Sequence, residues 1–145
     1  MSDIRYFFTE EEEARIVESI QKAELRTSGE VRVHIEKKCK ADVMKRAFEV
    51  FQKLNMQSTE QRNGVLFYLA TEDHKFSILG DEGIDKMVPE HYWEEIRDAM
   101  QDLFRQKDFV SGLSVGIEMA GKALSNFFPY EDDDQNELSD QISTS

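Results

Sequence analysis

Cysteine, basic residues and long apolar stretches are what this 145-residue chain has little of. Its single cysteine, Cys39, excludes an internal disulfide. The longest strictly apolar run is VLFYLA at 65–70, far short of the roughly 20 residues that span a bilayer. The opening MSDIRYFFTEEEEARI has no basic stretch followed by an apolar core, so no signal peptide is expected. Lys and Arg number 18 against 30 Asp and Glu, a formal net charge of -12. With no basic excess to neutralise phosphates, the composition argues against a nucleic-acid partner, and equally against an anionic membrane surface. These absences predict a cytoplasmic protein that acts as a monomer.

What is present suits one globular domain with a sizeable core: 39% hydrophobic and 33% charged residues. From Pro129 to Ser145 the chain carries six acids and no Lys or Arg, half of the net charge. With little apolar surface to bury, residues 131–145 are expected to form a disordered acidic tail behind a single domain at 1–130.

Thr9 followed by Glu12 reads as a capping box, and Ile16, Val17, Ile20 and Ala23 give the helix behind it an apolar face. TSGE at 27–30 breaks that helix. In VRVHIE, Val31, Val33 and Ile35 alternate with Arg32, His34 and Glu36, which predicts a strand with one face incompletely buried. Met44, Ala47, Phe48, Phe51 and Leu54 recur at helical spacing between Asp42 and Leu54. VLFYLA is apolar on both faces and predicts a central strand covered on each side. The short polar link TEDHK makes the next strand, FSILG, its antiparallel neighbour. Pro89 is expected to start a helix striped by Trp93, Ile96, Met100, Leu103 and Phe104. Asp108 is expected to cap a mostly buried last helix reaching about Phe127, in which Gly112, Gly116 and Ala120 permit close approach to a sheet.

The order α-β-α-β-β-α-α predicts an α/β fold: a three-layer α/β/α sandwich on a small mixed sheet. The first two strands are joined by a helix and should be parallel through a right-handed crossover; the third should be antiparallel.

Most chemical motifs fail on inspection. GIEMAGKA at 116–123 approaches a phosphate-loop pattern, but Ala123 stands where a hydroxyl is needed and the stretch lies within a helix. DDDQNE at 132–137 lacks the central glycine of a calcium loop. His34, His74 and His91 lie on different elements without zinc spacing, and read as ordinary surface or half-buried residues.

The exception is GDEGID at 80–85. The predicted topology brings the exit of the third strand to the end of the sheet where the first two begin. Glu30, Asp81, Glu82 and Asp85 therefore converge there, beside Arg62 and Asn63. Close carboxylates repel unless a cation or an arginine stands between them. Oxygen ligands of this kind suit calcium or magnesium. The alternative is that Arg62 alone neutralises the group and the glycines merely make the turn.

Four stretches in order then resemble the TPM domain family, which includes a thylakoid-lumen acid phosphatase and a photosystem II repair protein. The likeness runs from about Arg5 to Pro129. SGEVRVHI resembles the family's first strand and its approach, and RNGVLFYLA its DNGVLLLVA-like central strand. KFSILGDEGID resembles its third strand and GYGLE turn, and FRQKDFVSGLSVGI its entry to the last helix. The resemblance implies a three-layer α/β/α fold, divalent-cation binding in some members and phosphatase activity in some. It places Asp85 at the family's turn Glu and Gly83 at the glycine before it. Arg62 stands where the family usually has Asp, and Val88-Pro89 replaces a usual acid. Both departures weaken the case for catalysis.

The leading expectation is a domain that binds calcium or magnesium without strong catalytic activity. Asp81 and Asp85 would be the main ligands, Glu30 and Glu82 would assist, and Arg62 and Asn63 would be pocket contacts. The alternatives are a metal-dependent acid phosphatase, for which no catalytic residue is legible, and a protein–protein interaction module whose sheet edge or acidic tail meets a basic partner.

Overall fold

Thr9 starts the first helix through the predicted capping box. Its hydroxyl accepts from the Glu12 amide at 3.1 Å, and the Glu12 carboxylate accepts from the Thr9 amide at 2.9 Å. The computed structural model describes residues 7–130 and 141–145, and all that follows concerns these. The helix, α1 (Glu10–Glu24), leads into β1 (Glu30–Glu36). Then follow α2 (Val43–Lys53), capped by the Asp42 side chain, and a 3-10 turn at Met56–Ser58. Next come β2 (Gly64–Ala70), β3 (Lys75–Gly80) and a one-turn helix α3 (Glu82–Asp85). The last long elements are α4 (Tyr92–Arg105) and α5 (Phe109–Phe127), the latter capped by Asp108 as predicted. No helix among the described residues is long and apolar enough to cross a membrane.

The sheet has the order β3-β2-β1-β4. Glu30 pairs with Gly64 and Glu36 with Ala70 in the parallel β1–β2 ladder, while β3 runs antiparallel to β2 from Val65–Gly80 to Ala70–Lys75. Every residue of β2 is buried. Val65, Phe67 and Leu69 meet α1, α4 and α5 on one face; Leu66, Tyr68 and Ala70 meet α2 and Met56 on the other. The predicted three layers are thus present.

Two local expectations differ from the structure. Pro89 lies in the turn before α4, where its carbonyl accepts from the Tyr92 amide at 3.1 Å; His91, at φ 67°, takes the N-cap position. The glycine stripe of α5 serves a neighbouring helix as much as the sheet: Gly112 lies under Phe104, and Gly116 under Met100 and Phe67.

Of the expected disordered tail, only residues 141–145 are described. Residues 131–140 lie outside the described set, but Ser143–Thr144 forms a fourth strand, β4, parallel to β1. Ile142 packs against the main core, and the Ser145 amide donates to the Ile35 carbonyl at 3.1 Å.

The polar face of β1 is closed rather than half open. His34 is 2% exposed, stacked on Tyr68 with ring centroids 6.0 Å apart. Its Nδ1 lies 3.0 Å from the Ser143 hydroxyl and its Nε2 2.8 Å from that of Ser145. Arg46 of α2 donates two hydrogen bonds to Glu36, at 2.8 and 2.7 Å, and the Tyr68 hydroxyl donates a third. A buried carboxylate is tolerable only when its oxygens are filled in this way.

Stability in acid should therefore fall in two stages. Burial lowers the affinity of His34 for a proton, against the pull of Glu36 and with the repulsion of Arg46 and Arg32. The unfolded imidazole protonates near 6.5, so stability declines as pH drops below that value. Burial alone would raise the Glu36 carboxyl, but the hydrogen bonds from Arg46 and Tyr68 outweigh it and bring it from 4.5 to about 2. Its contribution, of order 2–3 kcal/mol, is lost as pH falls from the unfolded value toward the folded one. Urea midpoints measured from pH 7 to 3 should show both stages, and His34→Gln should flatten only the upper one.

Candidate functional site

Arg62 organises the end of the sheet where β1 and β2 begin. It sits in the left-handed region at φ 52°, in a turn closed by its amide donating to the Thr59 carbonyl at 3.2 Å. That conformation is unfavourable for a residue with a Cβ and is held here by contacts from both sides. The Arg62 carbonyl accepts from the amides of Gly83 and Ile84, at 2.8 and 3.3 Å. Its guanidinium donates to both oxygens of Asp81, at 2.7 and 2.9 Å, and to Glu82 at 3.2 Å. The hydrogen bonds to Asp81 raise the guanidinium pKa above its ordinary value.

Asp81 is 6% exposed and fully engaged. Besides Arg62 it accepts from the Glu82 amide at 2.8 Å, capping α3, while its own amide donates to the Gly64 carbonyl at 2.9 Å. Gly83 answers a steric demand: a Cβ there would lie 2.0 Å from the Gln61 carbonyl oxygen and 2.5 Å from that of Arg62. The acidic turn is thus laid directly on the backbone of residues 61–62.

The structure brings together three of the six predicted site residues: Arg62, Asp81 and Glu82. Asp85 is turned to α4, where it accepts from the Trp93 indole at 2.9 Å. Glu30 is buried at the start of β1, its amide donating to the Asn63 carbonyl at 3.4 Å. Asn63 is 1% exposed; its amide nitrogen reaches the Ser28 hydroxyl at 3.4 Å, and its Oδ1 accepts no hydrogen bond among the described residues. Among those residues no three Asp, Glu, His or Cys side chains come together closely enough to hold a metal ion. The Arg62 guanidinium already engages both Asp81 oxygens that calcium or magnesium would need. Trp93 was missed by the sequence reading, where it counted only as one residue of an apolar stripe.

Fold and site together define a small three-layer α/β/α domain with an arginine-filled acidic turn at one end of its sheet. The chain belongs to the TPM domain family, whose profile matches residues 1–123. It is similar over the whole length of both chains to the BA42 protein of the psychrophilic bacterium Bizionia argentinensis, with 48% identity and a TM-score of 0.91. Two solution NMR structures share the fold at lower identity. One is the N-terminal domain of a protein from P. gingivalis, 17% identical with a TM-score of 0.65, covering 82% of this chain and 77% of that one. The other is the N-terminal domain of the cg2496 protein of Corynebacterium glutamicum, 13% identical with a TM-score of 0.60, covering 81% and 74%. The comparison with curated proteins finds no match.

Gly83→Ala should cost about 1–3 kcal/mol or more, because the added methyl meets backbone that cannot move aside. Chemical denaturation checks this. Asp85→Asn, which preserves an oxygen for the Trp93 indole, should stay within about 0.5 kcal/mol of the parent.

Proposed function

We propose that this chain is a non-catalytic member of the TPM family, a cytoplasmic interaction domain in which Arg62 supplies the positive charge that a divalent cation is implied to supply elsewhere in the family. The observation that carries this reading is the two-pronged contact between Arg62 and Asp81. A planar guanidinium matches a carboxylate in this way and needs no further cation. The phosphatase alternative draws no support from this end of the sheet. Ser28 faces an amide nitrogen of Asn63, not a base that could activate it. The buried, unbridged Cys39 is consistent with a reducing compartment. An acidic surface of net charge -12 favours a basic segment of another protein as the partner.

One observation favours a second reading, a site for calcium or magnesium at the same place. Arg62 is 40% exposed and Glu82 72%, so the guanidinium can swing outward, and the buried Oδ1 of Asn63 is an oxygen of the type such ions accept.

Thermal unfolding with and without calcium or magnesium separates the two. On the first reading the parent protein does not respond. Arg62→Ala, which leaves Asp81 and Glu82 without their counter-charge, melts lower and gains a calcium response. A site filled to 100 times its dissociation constant adds about 2.7 kcal/mol, several degrees in Tm for a domain of this size. A rise of that size in the parent, cancelled by Asp81→Asn with Asp85→Asn, would establish the second reading instead.

A further inference from the structure

The opposite end of the sheet, where β2 stops and β3 begins, holds a cleft of about 480 Å³. That volume lies in the range of small-molecule sites. Four phenylalanines wall it in an unbroken series. Phe7 meets Phe109 with centroids 5.5 Å apart, Phe109 meets Phe104 at 5.4 Å, and Phe104 meets Phe76 at 4.8 Å. All four keep some solvent exposure, Phe7 as much as 37%. Phe76, Phe104 and Phe109 pack on the main core with one side and leave the other open to the cleft.

The rim has the opposite character to the rest of the chain. Acids outnumber Lys and Arg by 30 to 18 overall, yet among the described residues the charged and titratable ones lining this cleft are Arg105, Lys107 and His74, with no Asp or Glu. Acids near in sequence are turned elsewhere: Asp73 accepts from the Cys39 amide at 2.6 Å, and Asp108 caps α5 at Ser111. Asp102 reaches Arg105 only at 3.9 Å, between two highly exposed side chains. His74 and Lys107 are both held in the left-handed region, at φ 53° and 62°. Turn geometry accounts for both: His74 lies in the β2–β3 hairpin loop, and Lys107 closes α4 with its amide donating to the Phe104 carbonyl at 2.9 Å.

We propose that this cleft binds an amphipathic organic anion, its apolar body against the four phenylalanines and its carboxylate between Arg105 and Lys107. A purely apolar ligand would not need the cationic rim. An inorganic anion would not need the aromatic wall.

The test is a titration of the full chain with decanoate and, separately, with decanol, followed by amide and methyl NMR shifts. Decanoate should bind and shift Leu69, Thr71, Phe76, Phe104 and Phe109, and decanol should bind at least tenfold more weakly. Arg105→Gln with Lys107→Asn, both at exposed positions and the Asn tolerant of positive φ, should weaken decanoate at least tenfold and leave decanol unchanged. Gln101→Trp, which puts bulk at the mouth from an exposed position, should abolish binding without lowering Tm. Equal affinity for decanol, an unaffected double variant, or shifts confined to other parts of the domain would each overturn the proposal. So would concentration-dependent shifts of the same residues without ligand, which would mean that a second copy fills the cleft.

Discussion

Everything else in this domain follows from the complete burial of β2. A strand with no exposed residue must have a hydrogen-bonded neighbour on each edge and apolar cover on each face. β1 and β3 supply the edges, α2 supplies one cover, and α1, α4 and α5 supply the other. β2 spans seven residues, and the two regions proposed for function lie at its two ends. Gly64 opens onto the Arg62 turn, and Ala70 leads to the aromatic cleft.

At the Gly64 end the chain solves a charge problem with its own atoms. Asp81 is nearly buried, and a buried carboxylate is tolerable only when its oxygens are hydrogen-bonded. Arg62 meets that need twice over, through its guanidinium on the carboxylate and its carbonyl on the amides of α3. The same residue therefore fixes both the charge and the position of the acidic turn.

The framework was readable in the sequence because its signals are local. The Thr9–Glu12 box, the continuous apolar run of β2 and the Asp108 cap each act within a few residues and appear as expected. The convergence of Arg62 with Asp81 and Glu82 was also within reach, since strand order and direction alone bring those segments together. What was not legible is the direction in which side chains turn. Asp85 lies in the same turn as Asp81 but faces Trp93, a choice made by the packing of α4. The burial of His34 and Glu36 was hidden for a similar reason: Arg46 comes from α2 and the serines from the end of the chain. The aromatic cleft is assembled from four phenylalanines spread from position 7 to position 109, and no window of sequence contains them together.

The short strand at the chain's end has a consequence for solution behaviour. An uncovered strand edge is a template for pairing with other molecules, and β1 would present one. It is blocked at two points: the Glu24 carboxylate accepts from the Val31 amide at 3.0 Å, and Ser143–Thr144 occupies the edge beside His34 and Ile35. An intruding strand must compete with a segment tethered to the same domain, whose effective concentration is on the order of millimolar. Dilution does not weaken this intramolecular pairing, whereas an intruding strand competes only in proportion to its own concentration.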